Sequence, residues 1–419
     1  MNKANKMNVN RLLATLSHIN QYGANQHGKG ITRLAYTPLY EEALRDFIGL
    51  CEAEKMTVRV DAFGNMIARR EGTNPKLPVV ALGSHMDTVI QGGEYDGTLG
   101  VVAALEVIRS LNEEEIETIH PIELIVFACE ESARFGASTL GSKAMTGLLD
   151  TYSVSNLRDK NGITIQQAFQ DYSLDFQKID KVIRKREEFK VFLELHIEQG
   201  PILEMQRKKI GIVTGIASPT RIEVRIQGKA SHSGTTPMND RQDALVAAAE
   251  IILEVEHAAK EESAFGTVGT VGVCMVQPGA MNVIPDSVHL QLEVRGTSEQ
   301  SKNNVLDSLF RLFRELEERR GVVINPSVII VERPVLLSKE VVNMLTDCSN
   351  TLDLSYIHMT SGAGHDAMSM GHLCPTGLIF IPCREGLSHH PDEYASAEDI
   401  EAGLQLLKEA TLRFAISTT

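Results

Sequence analysis

The sequence has no tryptophan, and aromatic residues make up only 5% of its 419 residues. Its six cysteines include no CxxC pair, which argues against a thiolate metal site and against a disulfide framework. No apolar run reaches the roughly 18 residues that a membrane-spanning helix needs. The polar start, MNKANKMNVN, lacks the apolar core of a secretory signal. These absences predict a reduced, cytoplasmic protein without a membrane partner.

Positive charge is also scarce, because the sequence has 41 lysines and arginines but 55 aspartates and glutamates, which gives a formal net charge of −14. Proteins that bind nucleic acid or anionic membranes through their general surface are usually basic, so the sequence predicts neither partner. A small anionic substrate remains compatible with an acidic chain that has local positive sites. The length predicts two or three globular domains.

The two outer parts of the chain alternate buried strands with helices. Residues 99–111 have the spacing of an amphipathic helix, and residues 396–414 predict a C-terminal helix. Short apolar runs predict four buried strands, at residues 78–82, 122–128, 191–195 and 377–383. This alternation predicts an α/β domain whose mixed, mostly parallel sheet is covered by helices.

The middle of the chain has a different pattern. Residues 221–230, RIEVRIQGKA, alternate apolar and polar side chains, as expected for a strand with one solvated face. Further helix and strand patterns follow in the order β-α-β-β-α-β, which is a split βαβ, or ferredoxin-like, arrangement. The sequence therefore predicts an inserted α+β lid or dimerisation domain at 214–331, between two parts of the larger domain at 1–213 and 332–419.

Residues that can bind metal ions follow all four predicted strands of the outer domain. They are His85, Asp87 and Asp96 after the first, Glu130 and Glu131 after the second, His196 after the third, and His389 and His390 after the fourth. The carboxyl ends of strands in an open α/β sheet form one ligand-binding edge, so these side chains can converge. Imidazole and carboxylate without thiolate suit Zn²⁺ or Mn²⁺, and shared carboxylates allow two ions.

Simpler explanations exist for each of these residues. A single histidine such as His85 is more often a structural or surface residue, and Glu130 with Glu131 can cap a following helix. Four clusters at four strand ends nevertheless favour a metal site over these explanations.

The chain resembles the dinuclear-metal peptidase and amidohydrolase superfamily of carboxypeptidase G and aminoacylase. Within it, the chain resembles the branch of N-carbamoyl-L-amino-acid hydrolases, allantoate amidohydrolases and β-ureidopropionases. With the upstream segment MTVRVDAFGNMIARREGTNP, the resemblance covers nearly the whole chain. It is carried by the motifs GSHMDTV, GGEYDGTLGV, EESARFG, ELHIEQG, HSGTTPM, NVIPD, SGAGHD and GLSHHPDE.

The resemblance implies two divalent metal ions per subunit, with Zn²⁺ preferred and Mn²⁺, Co²⁺ or Ni²⁺ as alternatives. The first ion would be held by His85, Asp96 and His196. Asp96 would bridge to the second ion, which Glu131 and His389 would also hold.

The resemblance also assigns catalytic roles. Glu130 becomes the general base for the attacking water, and Asp87 the residue that orients His85. The motif position after Ser388 selects His389 as the ligand, whereas the adjacent His390 falls where relatives vary.

Further residues are assigned to the substrate by resemblance. His232 would reach the partner subunit's active site and stabilise the oxyanion, which implies a homodimer through the lid domain; a polar turn is the rival explanation. Asn282 and Arg295 would bind the substrate carboxylate, although Arg295 also fits a solvated strand position. Gln199 would contact the substrate's amide region. Gly364 and His365 in SGAGHD would lie near the substrate.

The resemblance predicts a hydrolase that cleaves the ureido C–N bond of N-carbamoyl-L-amino acids, with a small ureido acid as its partner. Allantoate amidohydrolase is the first alternative, because its substrate also presents a carboxylate and a ureido group. An aminoacylase or peptidase of the same superfamily comes next. A non-catalytic binding protein on the same fold would have no need for a base such as Glu130.

Overall fold

The computed structural model of the protein describes residues 7–26 and 28–417. Within these residues the helices are α1 (Val9–Asn20), α2 (Pro38–Ala53), α3 (Thr98–Glu113), α4 (Leu140–Thr146), α5 (Thr151–Ser155), α6 (Ile165–Asp171), α7 (Ile202–Met205), α8 (Ala244–Glu261), α9 (Glu299–Arg320), α10 (Lys339–Thr351), α11 (Asp366–Leu373) and α12 (Ala397–Ile416). Over the described part of the chain, none of them is long and apolar enough to cross a membrane.

The strands fall into two separate sheets. They are β1 (Thr57–Val60), β2 (Met66–Arg70), β3 (Val79–His85), β4 (Ile122–Phe127), β5 (Phe189–Ile197), β6 (Ile210–Ile216), β7 (Ser218–Gln227), β8 (Val268–Gln277), β9 (Ser287–Gly296), β10 (Val323–Val331), β11 (Val335–Leu336), β12 (Tyr356–Ser361) and β13 (Thr376–Ile381).

Within residues 7–26 and 28–417, the larger sheet has nine strands: eight lie in the order β1-β2-β4-β3-β5-β13-β6-β11, and β12 pairs with β6. Its centre, β4-β3-β5-β13, is parallel, whereas β2 and β6 pair antiparallel to this centre. Every residue of β3, β4 and β13 is buried, as expected when both faces of a sheet are covered. The predicted mixed α/β sheet is therefore confirmed.

The smaller sheet is entirely antiparallel, with strand order β10-β7-β9-β8. Strands and helices follow one another here as β7-α8-β8-β9-α9-β10, so the predicted split βαβ arrangement is also confirmed. Ile222, Val224 and Ile226 of β7 are buried in a separate core with residues of α8 and α9, while the alternate β7 residues are partly or fully exposed.

The chain divides into two compact units, of which the second comprises residues 215–336 and 360–363. The second unit therefore extends beyond residue 331, the end of the inserted domain predicted from the sequence, and includes β11. The chain also returns to this unit briefly at residues 360–363. The first unit contains the rest of the chain, including all four central strands of the larger sheet. The assignment of the second unit to a lid or dimerisation role stays a prediction.

Strand register in the first unit places the predicted site residues at one edge. His85 ends β3 and pairs with Phe127, the last residue of β4, so the glutamates at 130 and 131 follow directly at this edge. His196 lies next to the end of β5 and pairs with Phe380 near the end of β13. The carboxyl ends of four parallel strands thus meet, as expected for a ligand site on an α/β sheet.

Candidate metal centre

The five predicted metal ligands lie in two overlapping groups of the first unit. One group is His85, Asp96 and His196, and the other is Asp96, Glu131 and His389. In each group, one ligand atom from each residue lies within 4.8 Å of the others. Four of the five residues are buried, and His389 is exposed, so the arrangement can hold cations at an edge that a small molecule can reach.

Asp96 belongs to both groups because its two carboxylate oxygens face different histidines. Its Oδ1 lies 3.4 Å from His85 Nε2 and 3.1 Å from His196 Nε2. Its Oδ2 lies 3.1 Å from His389 Nε2, and that same nitrogen is 3.4 Å from Glu131 Oε1. A carboxylate in this position can serve two cations, one at each oxygen.

The loop that carries Asp96 approaches His85 too closely for any residue other than glycine at position 97. Gly97 has φ of +63°, and a Cβ there would lie 2.3 Å from the imidazole Cε1 of His85. Its backbone nitrogen lies 3.2 Å from His196 Nε2. Gly97 thus lets the backbone pass against both imidazoles.

The charges of this cluster compensate one another only partly. Burial disfavours ionisation of Asp96, but hydrogen bonds from the three histidines outweigh burial and hold the pKa of its carboxyl well below the ordinary value. Burial raises the pKa of Glu131 to about 7, and the charge of Asp96 adds to this shift. A cation beside Glu131 would favour its charged form, so the donor set suits a positive ion.

Glu130 is the more strongly affected of the two adjacent glutamates. Burial raises the pKa of Glu130 well above its ordinary value; the charge of His85 opposes this rise and that of Glu131 adds to it. Its Oε2 lies 3.7 Å from His85 Nε2. His85, Glu130 and Glu131 also form a third group with metal-binding spacing, so geometry alone permits Glu130 as a ligand as well as a base.

Asp87 contacts His85 through its main chain and the two glutamates through its side chain. The Nδ1 of His85 bonds the backbone carbonyl of Asp87 at 2.9 Å, whereas the Asp87 carboxylate oxygen is 3.9 Å away. That carboxylate instead accepts the backbone N–H groups of Glu130 and Glu131, at 3.2 and 3.0 Å. Asp87 therefore orients His85 through its main chain and the two glutamates through its side chain.

The neighbours His389 and His390 have different surroundings. The side chain of His389 is 52% exposed and turns into the cluster, and its hydrogen bond with Asp96 raises its pKa to about 9. The side chain of His390 is 48% exposed and accepts the backbone N–H of Asp392 at its Nδ1, 3.1 Å away. Among the described residues, the groups with metal-binding spacing include His389 and not His390.

Glu393 is a contact of the cluster that sequence reasoning did not single out. Its Oε1 accepts the backbone N–H groups of Tyr95 and Asp96, at 2.9 and 3.0 Å, and its Oε2 accepts the Ser388 hydroxyl at 2.8 Å. Glu393 thus joins the loop of Asp96 to the loop of His389. The signal in the sequence was a carboxylate four residues after His389, within the quoted motif GLSHHPDE.

Gln199 lies at the cluster, with a left-handed backbone of φ +57°. Its amide donates to Asp96 Oδ2 at 2.9 Å and to the Ser388 hydroxyl at 3.1 Å. His365 is buried against the His196 ring, with ring centroids 4.6 Å apart, and burial lowers its pKa well below the ordinary value. Nothing lies within 4 Å of a Cβ added at Gly364, so this position is open.

The remaining predicted residues belong to the second unit. His232 lies beyond the end of β7 and pairs with Val283, while the backbone N–H of Ser233 donates to the carbonyl of Asn282 at 3.1 Å. His232 and Asn282 are thus brought together, and both are exposed. Arg295 lies near the far end of β9, where its guanidinium donates to Glu293 at 3.0 Å and to the Gly362 carbonyl at 2.5 Å.

An α/β sheet with buried imidazoles and carboxylates clustered at its parallel strand ends is typical of metal-dependent hydrolases. A comparison with protein-family models narrows this class. Residues 81–413 match the model described as peptidase family M20/M25/M40, and the chain belongs to this family.

Curated relatives place the chain in one branch of the family. It is 44% identical to an uncharacterized hydrolase of Haemophilus influenzae over 382 residues, which are 91% of this chain and 93% of that protein. It is 37% identical to the N-carbamoyl-L-amino-acid amidohydrolase of Paenarthrobacter aurescens over 402 residues, covering 96% and 97%. It is 38% identical to the ureidoglycolate hydrolase of Oryza sativa subsp. japonica over 390 residues, covering 92% and 81%.

A solved structure supports the same branch. The amidase of the hydantoinase/carbamoylase family from Burkholderia multivorans superimposes with a TM-score of 0.91 and 32% sequence identity, over 99% of each chain. The predicted membership of the carbamoylase branch is confirmed, and the chain is a hydrolase of the carbamoylase and allantoate amidohydrolase family that acts on C–N bonds.

Proposed function

We propose that this protein hydrolyses the ureido C–N bond of N-carbamoyl-L-amino acids. The observation that carries the proposal is the position of Asp96, with one oxygen facing each group of metal-binding residues, together with the buried carboxyl of Glu130, which lies 3.7 Å from His85 Nε2. The similarity to a carbamoylase over almost the whole of both chains supports the same substrate class.

The proposal includes two divalent cations, with Zn²⁺ preferred and Mn²⁺, Co²⁺ or Ni²⁺ as alternatives. His85 and His196 would hold the first cation, Glu131 and His389 the second, and Asp96 both. The chemistry of this donor set fits, because imidazole and carboxylate are ligands that all four metals accept. When bound, such ions would lower the pKa of a water molecule and polarise the substrate's carbonyl group.

The chain's own residues would handle the protons. Glu130 would take a proton from the attacking water and return it to the leaving nitrogen, a task that suits a buried carboxyl whose pKa is raised above its ordinary value. The backbone bond from Glu130 to Asp87 would hold the base in place. Consuming one water, the reaction would release the amino acid and a carbamate that decomposes to CO₂ and ammonia.

The second unit supplies an argument for a dimer. His232 and Asn282 lie beyond the start of β9, and Arg295 is its ninth residue. A strand rise of about 3.4 Å per residue separates the two ends by about 27 Å. A ureido acid roughly 8 Å long could not contact both ends in one chain, so we infer that they serve two different active sites.

An exposed apolar edge is available for such pairing. Strand β8 is an edge strand of its sheet, and its Val268 and Met275 are 57% and 52% exposed. Leu253 of the adjacent helix α8 is 65% exposed. Pairing of two copies at this edge would cover these side chains and extend both sheets.

Complementation between two inactive variants tests the dimer. The His232→Ala and Glu130→Gln homodimers are each expected to be inactive. If His232 acts on the partner's site, mixing them with subunit exchange restores one complete site per heterodimer, giving about a quarter of wild-type activity in a 1:1 mixture. No recovery after demonstrated exchange would show that His232 acts within its own subunit.

Substrate identity is tested with metal-reconstituted enzyme and a panel of substrates. We expect ammonia release to be fastest with N-carbamoyl-L-amino acids. Allantoate is the first alternative because it presents the same carboxylate and ureido groups, and ureidoglycolate is another, supported by the relative from Oryza sativa. Cleavage of dipeptides or N-acyl amino acids without ammonia from any ureido acid would contradict the proposal in favour of a peptidase or aminoacylase. No turnover of any compound would favour a binding protein.

A further inference from the structure

Arg33 is a fully buried residue of the first unit, with 0% of its surface exposed. Its guanidinium donates to backbone carbonyls, a hydroxyl and an amide, and no carboxylate is among the partners found in the described residues. The acceptors are Met86 O at 2.7 Å, Ile19 O and Tyr22 O at 2.9 Å each, Thr98 Oγ1 at 2.9 Å and Asn20 Oδ1 at 3.5 Å. A buried charge held in this way is costly to form, so its position calls for an explanation.

Two of these acceptors adjoin the candidate metal ligands. Met86 lies between His85 and Asp87, and its carbonyl accepts from Arg33 Nε. Thr98 is the first residue of α3 and follows Asp96 by two positions, and its hydroxyl accepts from Arg33 Nη2. One rigid guanidinium therefore spans the end of β3 and the loop that carries Asp96.

The other contacts of Arg33 hold the guanidinium itself in place. Its backbone N–H donates to the Thr88 hydroxyl at 2.8 Å, and its guanidinium also reaches the carbonyl of Ile19, in the last turn of α1, and that of Tyr22, just beyond this helix. Burial lowers the pKa of Arg33 to about 10, which still leaves it charged at neutral pH.

We propose that Arg33 is a positioning residue of the metal centre, whose guanidinium fixes the loop of His85 against the loop of Asp96. The side chains of His85 and Asp96 would both bind the first cation, so the distance between them affects how tightly that cation is bound. The planar fork of arginine reaches two acceptors in fixed directions, which the point charge of lysine does not reproduce. This inference rests on the proposed metal-dependent function and goes beyond it by adding a residue outside the ligand set.

The rival explanation is that Arg33 only stabilises the fold. Arg70 provides a matched control, because its guanidinium also bonds a carbonyl and side-chain oxygens, namely Ile116 O at 2.7 Å, Asn112 Oδ1 at 2.8 Å and Thr118 Oγ1 at 3.3 Å. Arg70 pairs with Ile122, the first residue of β4, at the opposite end of that strand from Glu130. Loss of its bonds should weaken the fold and leave the metal centre intact.

The test compares Arg33→Lys with Arg70→Lys in the full-length protein. For each variant, the melting temperature of the metal-free protein and the dissociation constants for Zn²⁺ and Mn²⁺ are measured, the latter by competition with a chelator. Both variants are expected to have a lower melting temperature than the wild-type protein. Arg33→Lys should weaken the binding of one of the two ions by about 10- to 100-fold, the range known for residues that orient metal ligands, whereas Arg70→Lys should change the affinity for either ion by less than about twofold.

Thr98→Val is a second variant that keeps the inference testable if Arg33→Lys does not fold. It removes the hydroxyl acceptor and preserves the volume of a side chain that is 1% exposed. We expect it to weaken metal binding several-fold, and less than additively with Arg33→Lys, because both changes break one shared contact. Wild-type affinity in Thr98→Val, or equal effects of Arg33→Lys and Arg70→Lys, would overturn the inference. Absence of metal binding by the wild-type protein would instead contradict the proposed function.

Discussion

Glu130→Gln is expected to reduce turnover by about 10³-fold, within the range ascribed to a positioned general base, while both metal ions stay bound. Glutamine keeps the shape of the side chain and the backbone N–H that Asp87 accepts, at 3.2 Å in the wild-type protein. It cannot take a proton, so the attacking water would keep its own. The measurement is kcat with the best ureido substrate, together with the metal content per subunit after gel filtration.

Glu131→Gln is the matched control, since the two glutamates are adjacent and each is 6% exposed. This variant should lose one metal ion, because Glu131 lies with Asp96 and His389 in a group of metal-binding spacing. Loss of metal in Glu130→Gln with retention in Glu131→Gln would show that the two roles are exchanged. This outcome is a real alternative, because Glu130 also lies in such a group, with His85 and Glu131.

The edge where the cluster forms could be predicted from the sequence because it depends on strand ends. Apolar runs identify buried strands, and the polar residues directly after them must then lie where parallel strands finish. His85, Glu131 and His196 follow this rule, because β3 pairs in parallel with both β4 and β5. The alternating pattern of residues 221–227 was equally informative, because one face of β7 is buried and the other is not.

Other contacts of the site could not be predicted because they depend on backbone geometry. Arg33 bonds main-chain carbonyls, and any residue type supplies a carbonyl, so no sequence pattern identifies its partners. The carboxylate of Glu393 likewise accepts main-chain N–H groups. The main-chain carbonyl of Asp87, and not its carboxylate, bonds His85, a distinction that depends on the local path of the chain.

The pair His389 and His390 shows how far a local conformation decides the site. His389 has a left-handed backbone, with φ of +56°, which no run of residues around it would predict. This conformation accompanies the turn of His389 toward Asp96, while the next imidazole bonds Asp392. Adjacent side chains of nearly equal exposure, 52% and 48%, thus have separate partners.

His389→Asn and His390→Asn test this difference in metal binding. Asparagine is the better substitution here because it tolerates the left-handed backbone of position 389, which would strain alanine. His389→Asn should bind about one ion fewer per subunit than the wild-type protein. Its activity should fall by about 10³-fold, since a site for two ions stabilises both the attacking and the leaving group. His390→Asn should stay within about twofold of wild type in both properties, because the bond that it loses is an exposed one.

The measurement is metal per subunit at a fixed free-metal concentration, with kcat determined on the same samples. Restoration of activity in His389→Asn by raising free metal would indicate weakened binding at an otherwise intact centre, as expected when Asp96 and Glu131 remain as ligands. Metal loss in His390→Asn with retention in His389→Asn would assign the ligand to His390. It would also require the 388–393 loop to rearrange on metal binding, because His390 lies outside both groups of predicted ligands among the described residues.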